Sequence, residues 1–250
     1  DGVAPVVSNE TVEEMTASSA KLSALCSEPG TLYMLVRMKE DPHVLPAPDV
    51  IMTAANVATD PNVSFKVSVG DDNPAVVVTN EATNLDDKTE YVAYWVSQDD
   101  AGNVGEVTEA PFTTWEIPTV LSVAHHLLNV DDIIPEGGYS IGSTIYIKVS
   151  FSTEVRVTGS PVLELALDMA GADGVGGSNT VEATYSSEKT ENAGSSTVDV
   201  VFEVTVAEGQ TASDLDYTDT AALKLPSSGT DMIQSLVDAG SIDANLEVTT

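Results

Sequence analysis

The run Gln98-Asp99-Asp100-Ala101-Gly102-Asn103 gathers two carboxylates, a glycine and a carboxamide. Carboxylate and amide oxygens are the ligands a hard divalent cation such as Ca²⁺ takes. A calcium loop, however, needs acids at alternate positions and a distant glutamate, and this run has neither. Asp, Gly and Asn also suit a tight turn, where positive φ and side-chain-to-backbone bonds are needed. A turn is the preferred reading of this stretch, with metal ligation as the alternative.

Other chemistry-bearing groups are sparse. The histidines are His43, His125 and His126. The last two are adjacent in a strand-like run, Ser122-Val123-Ala124-His125-His126, so they point to opposite faces and cannot share an ion. There is no Cys/His cluster for zinc and no serine in a nucleophile-elbow pattern. The glycine-rich run 171–177 lacks the lysine and helix of a phosphate loop. The pairs Asp71-Asp72 and Asp131-Asp132 have the residue type of a glycosidase, but among 40 acidic residues chance proximity accounts for them. We therefore expect no catalytic residue and no enzyme. Cys26 is the lone cysteine, in an alternating run. A buried free thiol is expected, with an intermolecular bridge as the alternative. Asn9-Glu10-Thr11 and Asn62-Val63-Ser64 are glycosylation patterns, so Asn9 and Asn62 are candidate acceptors.

Charge limits the partners. The chain has 250 residues, 40 acidic and 9 basic, for a net charge of −31. Residues 1–117 hold 20 acids and 5 bases, and residues 118–250 hold 20 and 4, so the acidity is no tail. Attraction to nucleic acid or an anionic membrane is disfavoured. Cation binding, a salty environment, or simply a solvated acidic surface fits instead. Apolar residues make up 42%, enough for a core. No apolar run reaches the roughly 18–20 residues of a membrane span. The sequence opens on Asp1-Gly2-Val3-Ala4-Pro5 without a signal-peptide pattern, and we expect a processed product or a piece of something longer.

These groups sit on a chain whose dominant period is two. Ile145, Ile147, Val149 and Phe151 alternate with Tyr146, Lys148 and Ser150. Val198, Val200, Phe202, Val204 and Val206 alternate with Asp199, Val201, Glu203 and Thr205. Such runs are half-buried antiparallel strands. Residues 20–26, 31–38, 63–69, 75–80 and 90–96 are strand candidates in the first half, and 161–167 and 181–185 in the second. Helical signals are limited to 49–58 and 231–240. The halves meet near Thr114-Trp115-Glu116-Ile117-Pro118, giving units 1–117 and 118–250, joined by a stiff, bulky connection. The expected class is all-β: two tandem antiparallel β-sandwiches, the first with at least seven strands.

The first half resembles fibronectin type III-like domains of large surface proteins. The likeness rests on residues 1–7 as an opening strand, on Ser27-Glu28-Pro29-Gly30 before a third strand, and on Leu85, Thr89 and Tyr91. It implies that Tyr91 is the corner tyrosine that bonds back to the backbone. Two features depart from the family: Asp87-Lys88 replaces its usual proline turn, and its Arg-Gly-Asp tripeptide is absent. The second half is similar to Ig-like tandem repeats of bacterial and algal surface adhesins, including repeats of cyanobacterial swimming-associated cell-surface proteins. Residues 142–167, 182–187, 198–225 and 244–250 carry that likeness. An insertion at 168–180 departs from it, as does the stretch 227–248, where the family often has a plain turn and Asp-Ala-Ala-Gly-Asn.

These resemblances imply an extracellular or cell-surface chain. Its expected role is a structural module of a filament, coat or adhesin stalk, with neighbouring copies or domains of the same assembly as partners. A carbohydrate- or ligand-binding accessory module is the alternative, although aromatics for a glycan platform amount to only 5%. Neither nucleic acid nor membrane insertion is expected. In the fibronectin-like arrangement the turn before the sixth strand lies near the junction. The resemblance therefore makes Asp86, Asp87, Glu116 and Glu154 candidate ligands for a junctional Ca²⁺, against the plainer reading that these acids fan out into water.

Overall fold

Strands make up most of the regular structure in a computed structural model, which describes residues 2–57, 63–70, 77–127, 138–167, 180–212, 215–226, 230–237 and 240–248. The chain divides into Asp1–Glu116 and Ile117–Thr250, each with its own core.

The first unit contains β1 (Val7–Glu13), β2 (Ala20–Cys26), β3 (Gly30–Met38), α1 (Pro48–Val57), β4 (Ser64–Val69), β5 (Val78–Ala82), β6 (Glu90–Gln98) and β7 (Thr108–Thr113). The strands form two antiparallel sheets, β1-β2-β5 and β4-β3-β6-β7. Seven strands split three and four give the expected sandwich. Its core holds Leu22, Leu32, Met34, Val36, Tyr91, Ala93 and Trp95, from alternate positions of β2, β3 and β6.

The other face of the larger sheet is also covered. Tyr33, Leu35, Val92, Tyr94 and Val96 pack on Ile51 and Ala55 of α1. Pro48 suits the first helical turn, where its missing N–H costs nothing, and Asp49 lies at the positive end of the helix dipole. Residues 31–36 and 91–96 are therefore near-continuous apolar runs rather than alternating ones.

The second unit contains β8 (Val120–His125), β9 (Thr144–Thr158), β10 (Val162–Ala166), β11 (Thr180–Tyr185), β12 (Thr197–Thr205), β13 (Leu223–Lys224), β14 (Met232–Val237) and β15 (Gly240–Asp243). The ladder runs β13-β10-β11-β12-β9-β14-β15, with β8 also on β9, around one core that includes Val149, Phe151, Val155, Leu163, Phe202 and Ile233. The first part of β9 pairs with β8 and β12, and its end pairs with β14. A register shift lies between, where Asp199 faces Ser150 but Thr197 faces Val155. Such an irregularity lets one strand bend between layers. At the other end of the chain Thr119 and Asn245 form an isolated parallel bridge, and the Asn245 N–H donates to the Pro118 carbonyl at 2.8 Å.

Two expectations need correction. The helical pattern at 231–240 is a hairpin, β14 with β15. Met232, Ile233 and Gln234 pair with Thr158, Val157 and Arg156, so the extended end of β9 gives the segment a partner that outweighs weak helix propensity. On β12, Val198 is 45% exposed and Val201 only 2% exposed, the reverse of strict alternation. Val198 lies in the register shift. Val201 lies under the segment after β11, where its N–H donates to Thr190 Oγ1 at 2.9 Å and its carbonyl accepts from the Ser186 N–H at 2.8 Å.

Candidate functional site

The Asp99 run closes a turn. Asp99 Oδ1 accepts the Asn103 N–H at 2.7 Å, and Asp99 Oδ2 accepts the Asn103 side-chain amide at 2.7 Å. Gly102 takes φ of 89°, and its N–H donates to the Asp99 carbonyl at 3.2 Å. The side-chain bond from Asn103 holds the Asp99 carboxyl below its ordinary range. Both carboxylate oxygens thus have protein donors, as a turn requires.

Asp86, Asp87 and Glu116 belong to the first unit and Glu154 to the second. Tyr91 Oη accepts the Asp86 N–H at 2.9 Å, which is the corner bond the resemblance implies. The Asp86 carbonyl accepts from Thr114 Oγ1 at 2.6 Å, and the Asp87 carbonyl from Thr89 Oγ1 at 2.8 Å. Lys88 turns through the left-handed region, at φ of 49°. Lys88 Nζ reaches Glu116 at 2.9 Å. Glu154 accepts from Ser196 Oγ at 2.7 Å. Among the described residues, no three or more His, Cys, Asp or Glu side chains are grouped to hold an ion.

Asn9 is exposed in β1, at φ of 53°, inside a bulge between Ser8 and Thr11. Asparagine tolerates this conformation, so the residue has a backbone role beside its acceptor pattern. Asn62, Asp71-Asp72, Asp131-Asp132 and the glycine-rich run lie outside the described residues. Cys26 is buried, with its thiol free within the chain. His43 stacks on Tyr94, with centroids 6.2 Å apart, and contacts Glu109 Oε2 at 2.9 Å. His125 Nε2 lies 2.6 Å from Tyr139 Oη, while the His126 N–H donates to the Tyr146 carbonyl at 2.8 Å.

The feature that periodicity did not reveal is in the second unit. A cavity of about 570 Å³ opens beside β8, its lining including Val123, Ile147, Leu165, Val204, Leu215 and Tyr217, with His125, Gln210, Thr211 and Asp216 among its polar members. On the outer face of β9 and β12, Asp199 accepts from Ser150 Oγ at 2.6 Å and from Lys148 Nζ at 3.1 Å. Partial burial pushes its pKa up, but these hydrogen bonds outweigh burial and leave the carboxyl below its ordinary range. The cavity is lined by residues from several strands distant in sequence, and single-strand patterns do not report that.

No protein-family model matches the chain, and no curated protein matches it. Among solved structures it is similar to chitinase ChiA74 from Bacillus thuringiensis, at 12% identity and TM-score 0.29, covering 86% of this chain and 29% of that one. It is similar to a two-domain fibronectin type III segment of chicken tenascin, at 10% identity and TM-score 0.29, covering 85% and 98%. A third likeness is to a 1.5-MDa bacterial ice-binding adhesin, at 11% identity and TM-score 0.31, covering 83% and 66%. The chain thus spans less than a third of the chitinase chain. The all-β sandwich class rests on the ladders described above.

Proposed function

We propose that the chain is a non-catalytic structural module of a large extracellular repeat protein, contributing to a cell-surface filament, coat or adhesin stalk. The supporting observation is the pair of separately cored β units that follow one another at Glu116 and Ile117 with no intervening linker sequence. Modules of this kind supply length and contact surface. The charge of −31 favours an environment where salt screens it. Among the described residues no helix is long and apolar enough to cross a membrane. The test is to label intact cells of the source with an antibody to the chain and to shave them with protease. Surface labelling that protease removes is expected. Recovery of the chain only inside protease-treated cells would overturn the reading.

A second reading, a ligand-binding accessory module, is favoured by the cavity beside β8. Thermal-shift screening against short glycans and apolar small molecules separates the two. A saturable shift that is lost in Leu165→Trp would favour binding.

A further inference from the structure

We propose that the outer edge of β8 pairs antiparallel with β8 of a second copy of this chain. This deepens the assembly reading above and rests on it. Among the described residues β8 pairs with β9 alone over Ser122–His125, because the bridge to Asn245 stops at Thr119. The His126 N–H donates to Tyr146, directly opposite, so Ala124 and Ser122 also turn their amides inward. By the same alternation the amide groups of Val123 and His125 face away from β9. An edge of this kind is a template for another strand.

The other edges of the molecule carry obstacles. Among the described residues, β7 contains Pro111 and Glu109, β4 contains Lys66, β5 contains Glu81, β1 is bulged at Asn9, β13 contains Lys224 and β15 contains Asp243. Proline, charge and bulges are the usual blocks to edge pairing. β8 has a bulge only at its start, between Val120 and Ser122. It also lies within residues 117–130, a run of 14 with no Asp, Glu, Lys or Arg, the longest such run in the sequence. In a chain of net charge −31, two copies repel least where this run meets itself.

The register follows from the outward amides. Pairing Val123 with His125 of the second copy places the twofold axis at Ala124, whose small side chain permits close approach. The same register sets Leu121 opposite Leu127 of the other copy. These are exposed leucines, at 61% and 41%, and pairing would remove both from water. The contact is isologous, so each substitution acts twice.

Sedimentation velocity across micromolar concentrations tests this, in about 1 M NaCl, where the screening length falls to about 3 Å. A reversible dimer of the 26.1-kDa chain is expected. Leu121→Glu should weaken it about tenfold or more, since an unpaired carboxylate would be set against a leucine at two places. Ser68→Glu, an equal charge on exposed β4, should leave it unchanged. Hydrogen exchange gives a second readout: the Val123 and His125 amides should exchange freely when dilute and gain protection with concentration. Association that ignores Leu121→Glu overturns the β8 contact while leaving assembly through another face. A monomer at every concentration overturns the β8 contact, while the surface-labelling experiment decides the module reading separately. Protection of the two amides already present at dilution means the chain covers its own edge, and overturns the proposal.

Discussion

Replacing Tyr91 with phenylalanine removes one oxygen and little else. The ring is 5% exposed and stacks on Phe112 at 5.7 Å, so the packing survives the change. What is lost is the acceptor for the Asp86 N–H. A net hydrogen bond contributes about 1 kcal/mol, and a donor stranded without water costs about 1–3 kcal/mol. The turn is only partly buried, so water can reach the freed amide in part, and a loss of about 1–2 kcal/mol is expected. Trp95 and Trp115 are the two tryptophans and both lie in the first unit, so their fluorescence follows that unit in urea. With an m-value of roughly 1–2 kcal/mol/M, the midpoint should fall by about 0.5–2 M. An unchanged midpoint would refute the claim that this bond fixes the turn. A changed slope would mean that the unfolded or folded ensemble had moved instead.

Three further outcomes are expected. Gly30→Ala should destabilise the first unit by about 2 kcal/mol or more, because at φ of 151° its new Cβ would lie 2.2 Å from the Gln98 carbonyl oxygen; tryptophan-detected melting checks it. Phe202→Ala should cost the second unit about 3–5 kcal/mol; calorimetry should show one transition lowered while the tryptophan-detected one stays, and movement of both would show that the units unfold together. Asn103→Ala should raise the Asp99 pKa, which NMR titration reads directly. A carboxyl held low by the fold stabilises above its unfolded value and loses that contribution as pH falls, so the parent's advantage over Asn103→Ala should shrink from about pH 5 downwards.

Much of the strand content was legible because burial on one face writes a period of two. Ile145, Ile147, Val149 and Phe151 alternate in sequence and are all buried in the structure. The corner bond of Tyr91 was legible only through family likeness, since no periodicity distinguishes a hydroxyl that meets an amide five residues back. Elsewhere tertiary contacts overrode local pattern. Residues 231–240 look helical until the far end of β9 supplies a ladder. Residues 33, 35, 92, 94 and 96 are buried because α1 lies on them, and a helix signal does not say which sheet it will cover. The cavity beside β8 was hidden for a related reason. It is formed by residues from several strands that are distant in sequence, each of which reads as ordinary core.

The parallel bridge between Thr119 and Asn245 has a mechanical consequence. A tension applied across the second unit, entering at Ile117 and leaving beyond Val248, pulls these two short segments in opposite senses along their common direction. The Asn245–Pro118 hydrogen bond and the Ser152–Thr119 bond on the opposite side, at 2.8 and 2.9 Å, are then loaded together in shear instead of opening one after the other. A unit closed in this way resists stretching more than its modest local pairing suggests. Once the bridge yields, β8 can peel from β9, and the chain would lengthen in a single step.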